Sequence, residues 1–548
     1  MKLGDLIINV VKQLGVKHIF GVPGDYNLRF LDFIEESKDV NWIGNCNELN
    51  ASYSADGYAR ENGIGVLVTT HGVGELSAAN GIAGSFAHNV SVLHIVGYPS
   101  SVVIDGDVPV HHTLGNYKKN NFLEAFNPIS GATTILTELN FIEEINRVIS
   151  NMLVTKKPAY LGIPTNLLDM EVSQNIEDIY FRFKNSDNYM VKELGSIISK
   201  RFNNAKKPML LLGVNIARFG WREKVTELLK KTDLKFTTTL MGKSIIKDIE
   251  LANANYIGIY AADYSTNGVV KLMQDSDCII SIGTVETDLN TGGFSEDGID
   301  YDNVITIRPQ SIKIGKKVYS GVSIDMLLEY MEKNLDKKEE LYKEICLSDE
   351  CRVKNKDENL NQKEFWPFVA KNIIQEGDIV VAEAGSALFG LLPQNLPAGI
   401  DFVSQILWAS IGYTLPAAIG SAIAAPKRKV LLFIGDGSFQ LTAQEISLIK
   451  KYNLDITVFL INNDGYTIER AIHGPNESYN DIYMWKYLDL AKSLGVENTK
   501  SIKTFKELFE LEDYIKEDGA KMIELFFKKL DYPPLLKQIS DKLAAANQ

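Results

Sequence analysis

Cysteine is scarce in this chain and scattered: Cys46, Cys278, Cys346 and Cys351 are its only four. None belongs to a Cys-x-x-Cys or Cys/His grouping, which excludes a disulfide framework or a zinc site as the organising feature. Long apolar runs are also missing, so no segment reads as a membrane span. The apolar positions of residues 1–20 keep helical spacing and are interrupted by charge, unlike a secretory leader. Excess positive charge is absent, with 57 Lys and Arg against 70 Asp and Glu and a net charge of −13. That argues against nucleic acid as the main partner but leaves room for an anion held through a local cation. No repeat occurs at solenoid periods. Together these absences fit a reducing compartment, and a cytoplasmic location is expected.

What is present is an ordinary globular composition, 45% hydrophobic and 23% charged over 548 residues, long enough for about three domains. Short apolar strands alternate with amphipathic helices through the first part. Strands are expected at 18–21, 66–70, 92–96 and 159–163, with helices around 50–60 and 141–151. Such alternation means a parallel sheet covered on both faces. The polar stretch 169–188 reads as a linker. A second α/β unit follows, with strands at 209–212, 278–282 and 304–307. It has no Gly-x-Gly-x-x-Gly after a strand and no Walker-type loop, so nucleotide binding is not expected there. Residues 331–364, dense in Lys, Glu and Asp, read as a solvated helix plus linker. The third unit has strands at 379–383, 402–404, 430–434, 456–461 and 522–526. It closes on a helix with Leu535, Leu536, Ile539 and Leu543 on one face. The expected fold is therefore three consecutive parallel-sheet α/β domains, at 1–168, 189–330 and 360–548.

Two strand ends in the third unit carry chemistry. One ends in Gly435-Asp436-Gly437-Ser438, the next in Asn462-Asn463-Asp464-Gly465. Singly, each reads as an ordinary turn. Together they place hard oxygen ligands and closely approachable backbone at neighbouring strand ends, which suits Mg²⁺ carrying a diphosphate. A helix beginning after Ser438 would aim its first amides at the phosphates.

With this block, the segments 20–32 (FGVPGDYNLRFLD), 44–60 (GNCNELNASYSADGYAR), 69–81 (TTHGVGELSAANG), 111–116 (HHTLGN), 411–420 (IGYTLPAAIG) and 465–475 (GYTIERAIHGP) resemble the thiamine diphosphate-dependent 2-oxo acid decarboxylases. That family includes pyruvate, indolepyruvate and branched-chain 2-oxo acid decarboxylases, and the resemblance runs over essentially the whole chain. It implies thiamine diphosphate and Mg²⁺ as cofactors, with pyrimidine-binding, central and diphosphate-binding domains in that order. It implies that Asp436, Asn463 and the Gly465 carbonyl hold Mg²⁺. Thr70, Ser386, Ala409, Ser410, Ile411, Gly437, Ser438, Tyr466, Thr467 and Ile468 would complete the cofactor site, with Ile411 wedged between the cofactor rings. Glu48 matches the glutamate that contacts the aminopyrimidine; alone it would be a first-turn helix glutamate, but in a fairly apolar site its pKa should rise.

The resemblance makes Asp25, His111, His112 and Glu469 acid/base and substrate-orienting groups. Alone, Asp25 is a turn residue and the two histidines an exposed loop pair or adventitious metal site. Neighbouring histidines on an extended segment would point to different sides. His71 and His88 depart from the family pattern and read as local repacking, and His473 as a brace for the loop after Glu469. Ala409 stands where glycine is usual, which is harmless if its φ is negative. Tyr117-Lys118-Lys119 also departs from the pattern, in the loop after the histidines.

Leu289, Ala384, Leu388, Phe389, Ile468, Ile539 and Leu543 are expected to line an apolar substrate pocket. The resemblance implies non-oxidative decarboxylation of a 2-oxo acid to an aldehyde and CO₂ through a cofactor enamine. The pocket residues favour branched-chain or aromatic 2-oxo acids over pyruvate. The expected assembly is a homodimer or homotetramer, with Glu48 and Asp436 of one site supplied by different chains. Two rival readings are a carboligase of the acetohydroxyacid synthase type, whose members typically lack the His-His pair, and a non-catalytic cofactor-binding protein.

Overall fold

The computed structural model describes residues 1–106, 108–116, 118, 120–173, 188–266, 268–338, 353 and 355–546. Residues 174–187 of the linker expected at 169–188, residues 339–352 of the charged stretch 331–364, Tyr117, Lys119, Cys346 and Cys351 lie outside the described residues. Residues 169–172 do not behave as a linker, because Val172 N–H reaches Met1 O at 2.8 Å and Leu3 N–H reaches Met170 O at 3.0 Å. The end of the first unit is thus stitched to its beginning.

The first sheet comprises β1 (His18–Gly21), β2 (Asn41–Gly44), β3 (Gly65–Thr70), β4 (Val92–Tyr98), β5 (Ala132–Ile135) and β6 (Ala159–Pro164). All its pairings are parallel, in the order β2-β1-β3-β4-β6-β5. The middle sheet comprises β7 (Pro208–Leu212), β8 (Phe236–Thr238), β9 (Tyr256–Ile259), β10 (Cys278–Ile282), β11 (Val304–Arg308), β12 (Ser311–Ile314) and β13 (Lys317–Ser320). Its parallel body carries an antiparallel edge, β11-β12-β13. The third sheet comprises β14 (Ile379–Ala382), β15 (Asp401–Val403), β16 (Val430–Gly435), β17 (Ile456–Asn462), β18 (Thr499–Ile502) and β19 (Lys521–Phe526). Its order is β15-β14-β16-β17-β19-β18. Counted from its own first strand, that is the order of the first sheet, repeated in a stretch of sequence that shows no repeat.

In both outer sheets the chain moves from its first strand to one neighbour and then crosses to the other side. That reversal opens a crevice at the C-terminal strand ends, where open α/β sheets bind ligands. In the first sheet the crevice collects Asp25, Glu48 and Thr70, which follow or end β1, β2 and β3. In the third it collects Glu383 to Ser386 after β14 and Asp436 after β16.

The two outer sheets are joined by helix Glu48–Asn62 lying against helix Thr414–Ala424. Their backbones nearly touch: a Cβ on Gly57 would stand 2.1 Å from Ala417 O, and one on Gly420 1.9 Å from Ser54 O. Several polar groups buried in the contact pair across or within it. Asp56 accepts from Arg60 Nε at 2.7 Å and Ser85 Oγ at 2.8 Å. Asn50 donates to Glu445 at 2.8 Å. One apolar cluster runs through both outer domains, the third domain adds a second of its own, and the middle domain has a separate one.

Candidate active site

Strands β16 and β17 pair in register with Gly435 beside Ile461, so Asp436 and Asn463 emerge side by side. Helix Asp436–Thr442 starts at Asp436 itself and not beyond Ser438. The carboxylate caps its own turn, accepting from Gly437 N–H at 2.8 Å. It also accepts from Asn463 N–H at 3.2 Å and Gly465 N–H at 3.1 Å. Gly465 has φ 116°, and a Cβ there would stand 2.3 Å from Asn480 O, so only glycine makes this turn without strain.

Asp436 is fully buried, and burial pushes its carboxyl up to about 6 against the backbone hydrogen bonds that favour the charge. The Asn463 amide oxygen lies 3.0 Å from Gly465 O and 3.3 Å from Asp436 Oδ1. Three acceptors facing one point repel unless a cation lies among them. Turning the amide over would replace that convergence with two hydrogen bonds and an acceptance from Thr467 Oγ1. The donor set, a carboxylate, an amide and a carbonyl, is all oxygen and suits a hard cation that keeps phosphate oxygens. Arg470, buried and missed in the sequence, braces this loop by donating to Asn480 O at 2.9 Å and Asp481 at 2.8 Å.

Above these groups is a cavity of about 340 Å³. Its lining includes Ala384, Ser386, Ile411, Gly437, Ser438, Tyr466, Thr467, Ile468 and Glu469. Leu388, Phe389 and Ile539 do not line it; they are buried in an apolar cluster with Leu289, Ile468 and Leu543 at its edge. That cluster packs the C-terminal helix against the third domain and draws in Leu240, Ile259 and Tyr264 from the middle domain.

A second group assembles on the first sheet. Asp25 receives both imidazoles: His111 Nε2 on Oδ2, and His112 Nδ1 at 3.5 Å from Oδ1. The extended geometry expected for the pair does not hold. His112 has φ 64°, and this left-handed turn brings both rings to one carboxylate. Burial works against charge on Asp25, but the hydrogen bond from His111 and the two imidazoles hold its pKa below the usual carboxylate range. Tyr26, also missed, stacks on His111 with centroids 5.1 Å apart and meets His112 edge-on at 6.0 Å. Thr70 Oγ1 lies 3.5 Å from Asp25. Glu48 opens its helix, whose cap Asn47 accepts from Asn50 N–H at 2.8 Å. Half-burial pushes the Glu48 carboxyl up.

His71 packs against Tyr98 and Phe122, with Nδ1 3.2 Å from Glu75. His88 does more than fill space: burial, with Arg60 nearby, holds it well below its ordinary pKa. The neutral ring accepts from the N–H groups of Leu407 and Trp408 at 3.3 and 3.2 Å. It thereby fixes the loop that carries Ala409, Ser410 and Ile411, where Ser410 Oγ also meets Tyr53 at 2.6 Å. His473 closes the turn after Glu469 through its own N–H, 2.8 Å from Glu469 O.

Ala409 has φ 53°, so the negative φ that would make alanine harmless is not found. Its N–H closes a helical turn onto Gln405 O at 3.1 Å, and the chain leaves that turn in the left-handed region. A left-handed alanine costs about 1–2 kcal/mol, and glycine returns about 0.4–1 kcal/mol of that as unfolded-state entropy. Ala409→Gly is therefore expected to stabilise the protein by roughly 0.5–1 kcal/mol, read as a higher urea midpoint at unchanged slope. A lower midpoint would contradict the strain.

Within one chain the two groups stay apart: the cavity lining includes none of Asp25, Glu48, Thr70, His111 and His112. Apolar side chains stand exposed beside both groups, among them Leu28, Val73 and Leu76 on the first domain and Trp408, Ile411 and Leu441 on the third.

Residues 1–119 match the thiamine pyrophosphate enzyme N-terminal TPP binding domain, 197–326 the central domain and 394–525 the C-terminal TPP binding domain. The chain is 36% identical over 561 residues to pyruvate decarboxylase isozyme 3 of Saccharomyces cerevisiae, covering 100% of this chain and 99% of that one. It is 35% identical over 560 residues to the pyruvate decarboxylase of Kluyveromyces marxianus, covering 100% and 98%. Against the pyruvate decarboxylase of Candida albicans it is 36% identical over 553 residues, covering 97% and 96%.

Proposed function

Since the chain belongs to the thiamine diphosphate-dependent 2-oxo acid decarboxylases, we propose that its two groups of residues are the halves of one decarboxylation site, joined where two copies of the chain meet. The enzyme converts a 2-oxo acid to an aldehyde and CO₂ and uses thiamine diphosphate with Mg²⁺. In this reading Asp436, Asn463 and the Gly465 carbonyl hold the metal. Ser386, Gly437, Ser438, Tyr466 and Thr467 hold the diphosphate, and Ile411 shapes the ring site beside Ala409 and Ser410. When bound, thiamine diphosphate supplies the electron sink that lets a 2-oxo acid lose CO₂.

The remaining chemistry is proton traffic. Loss of CO₂ leaves an electron pair on the former carbonyl carbon that must be protonated, and aldehyde release requires a proton to leave the oxygen. Asp25 faces the His111 and His112 rings, whose ring nitrogens can donate or accept a proton. Glu469 enters from the third domain of the partner chain. Glu48 would hold a proton against the cofactor's aminopyrimidine ring. The observation that carries the decarboxylase reading is the Asp25–His111–His112 cluster. A carboligase must keep protons away from the carbon it couples, whereas this cluster brings proton donors together.

The relatives are named for pyruvate. For this chain we favour a larger branched-chain or aromatic side chain. Ala384 is a small residue in the cavity wall, and Ile468 is apolar. An added methylene that fits such a wall is worth roughly 1–3 kcal/mol of discrimination. Aldehyde formation across 2-oxo acids of increasing size tests this. The expected kcat/KM for at least one branched or aromatic acid exceeds that for pyruvate by about tenfold or more. A maximum at pyruvate would reverse the preference, and acetolactate-like products would favour the carboligase.

A further inference from the structure

Glu383 has no part in the site as described, yet it lines the same cavity and is only 3% exposed. It accepts from Thr414 Oγ1 at 2.5 Å and from the backbone N–H groups of Thr414, Ala384 and Gly412. No cation is among its principal electrostatic neighbours, and burial pushes its carboxyl up to about 7. A buried carboxylate held by neutral donors alone is a poor stabiliser, because desolvation exceeds what such donors return. Perturbed buried groups of this kind concentrate at functional sites.

The donors show what the carboxylate holds. Gly412 and Thr414 form the end of the turn that leads from the left-handed Ala409 through Ile411 into helix Thr414–Ala424. Ala384 begins the segment leading to Ser386 and the cavity floor. One side chain therefore ties two walls of the cavity together. Tyr53, whose hydroxyl meets Ser410, also feels the Glu383 charge, so the third neighbour of the turn is part of the same arrangement.

We propose that Glu383 is a positioning residue of the decarboxylation: its carboxylate fixes the 411–414 turn, and with it Ile411, against the cofactor cavity and places a negative charge in the cavity that would take the cofactor's cationic thiazolium ring. This rests on the assignment of the cavity to thiamine diphosphate. Glutamine keeps the shape but loses the charge and one acceptor, so Glu383→Gln separates positioning from folding.

Three readouts apply to the full-length enzyme. Cofactor affinity, titrated with thiamine diphosphate in saturating Mg²⁺, is expected to fall about tenfold or more, as for loss of a group that orients a ligand's partners. The value of kcat should fall about 10–100-fold while KM for the 2-oxo acid moves less than about threefold, since a misplaced ring costs the reaction more than the substrate. The third readout is the proton count on cofactor binding at pH 7, obtained by calorimetry in two buffers of different ionisation enthalpy. A cation arriving beside Glu383 favours its ionised form, so the wild type should release more protons than the variant. A purely structural role would not move that count.

Wild-type affinity, kcat and proton count in Glu383→Gln would overturn the proposal. If that variant fails to fold, Thr414→Val removes only the hydroxyl donor and should still lower kcat; an unchanged kcat there would also overturn it. Failure of the wild-type cavity to bind thiamine diphosphate would instead sink the cofactor assignment.

Discussion

Glu48→Gln is expected to lower kcat by about 10²–10⁴-fold, the range for losing a positioned acid/base group, while leaving Mg²⁺ and diphosphate binding nearly intact. The carboxyl is half-buried, and burial pushes its pKa up, which favours the proton-bearing form that a ring nitrogen could share. Glutamine occupies the same volume and cannot release one. Local structure should survive, because the helix is capped by Asn47 and not by Glu48. The metal and diphosphate groups sit on another domain and should be indifferent to the change. Single-turnover kinetics with saturating cofactor would read the effect directly. A kcat within tenfold of wild type would remove Glu48 from the proton path.

The second large effect is on cofactor retention. Asp436→Ala removes the one anionic oxygen of the proposed metal set and the acceptor of three backbone N–H groups. Even residues that merely support a ligand cost about 10–100-fold in metal affinity, so loss of the ligand should exceed about 100-fold. The purified variant should emerge without cofactor and without activity. The two variants together test the assembly. If Glu48 and Asp436 of one site come from different chains, a mixed dimer of the two variants has one site with both residues intact and one with neither. Random pairing then returns about a quarter of wild-type activity from two inactive proteins. No recovery, with mixed dimers demonstrated, would place each site within a single chain.

Much of this was legible in the sequence for a physical reason. β16 and β17 are fully buried apolar runs ended by glycine and Asx, and such runs announce both the strand and its turn. Shorter or half-exposed strands left little signal: β2 spans four residues with only Ile43 buried, and β8 spans three. The antiparallel β12-β13 edge, with its exposed Lys317 and Val318, reads as solvated polar sequence. Backbone handedness was nearly invisible. His112 reads as extended and is not, and at Ala409 only the glycine usual there hinted at the positive φ found. Glu383 read as a strand end, since most of its donors come from Gly412 and Thr414, about thirty residues away in sequence. Paired topology was hidden as well, because strand order can repeat without any repeat of residues.

The continuous apolar core of the two outer domains has a consequence for how this protein can be altered. Three family segments suggest three exchangeable modules, but one apolar cluster runs through both outer domains. The outer two interlock through a helix contact so close that neither glycine in it has room for a methyl group. A chimera that imports one outer domain from a relative inherits half an interface, and the mismatch falls on Gly57 and Gly420. The workable unit of exchange is the outer pair together, and a substituted middle domain must still match the C-terminal helix it packs against.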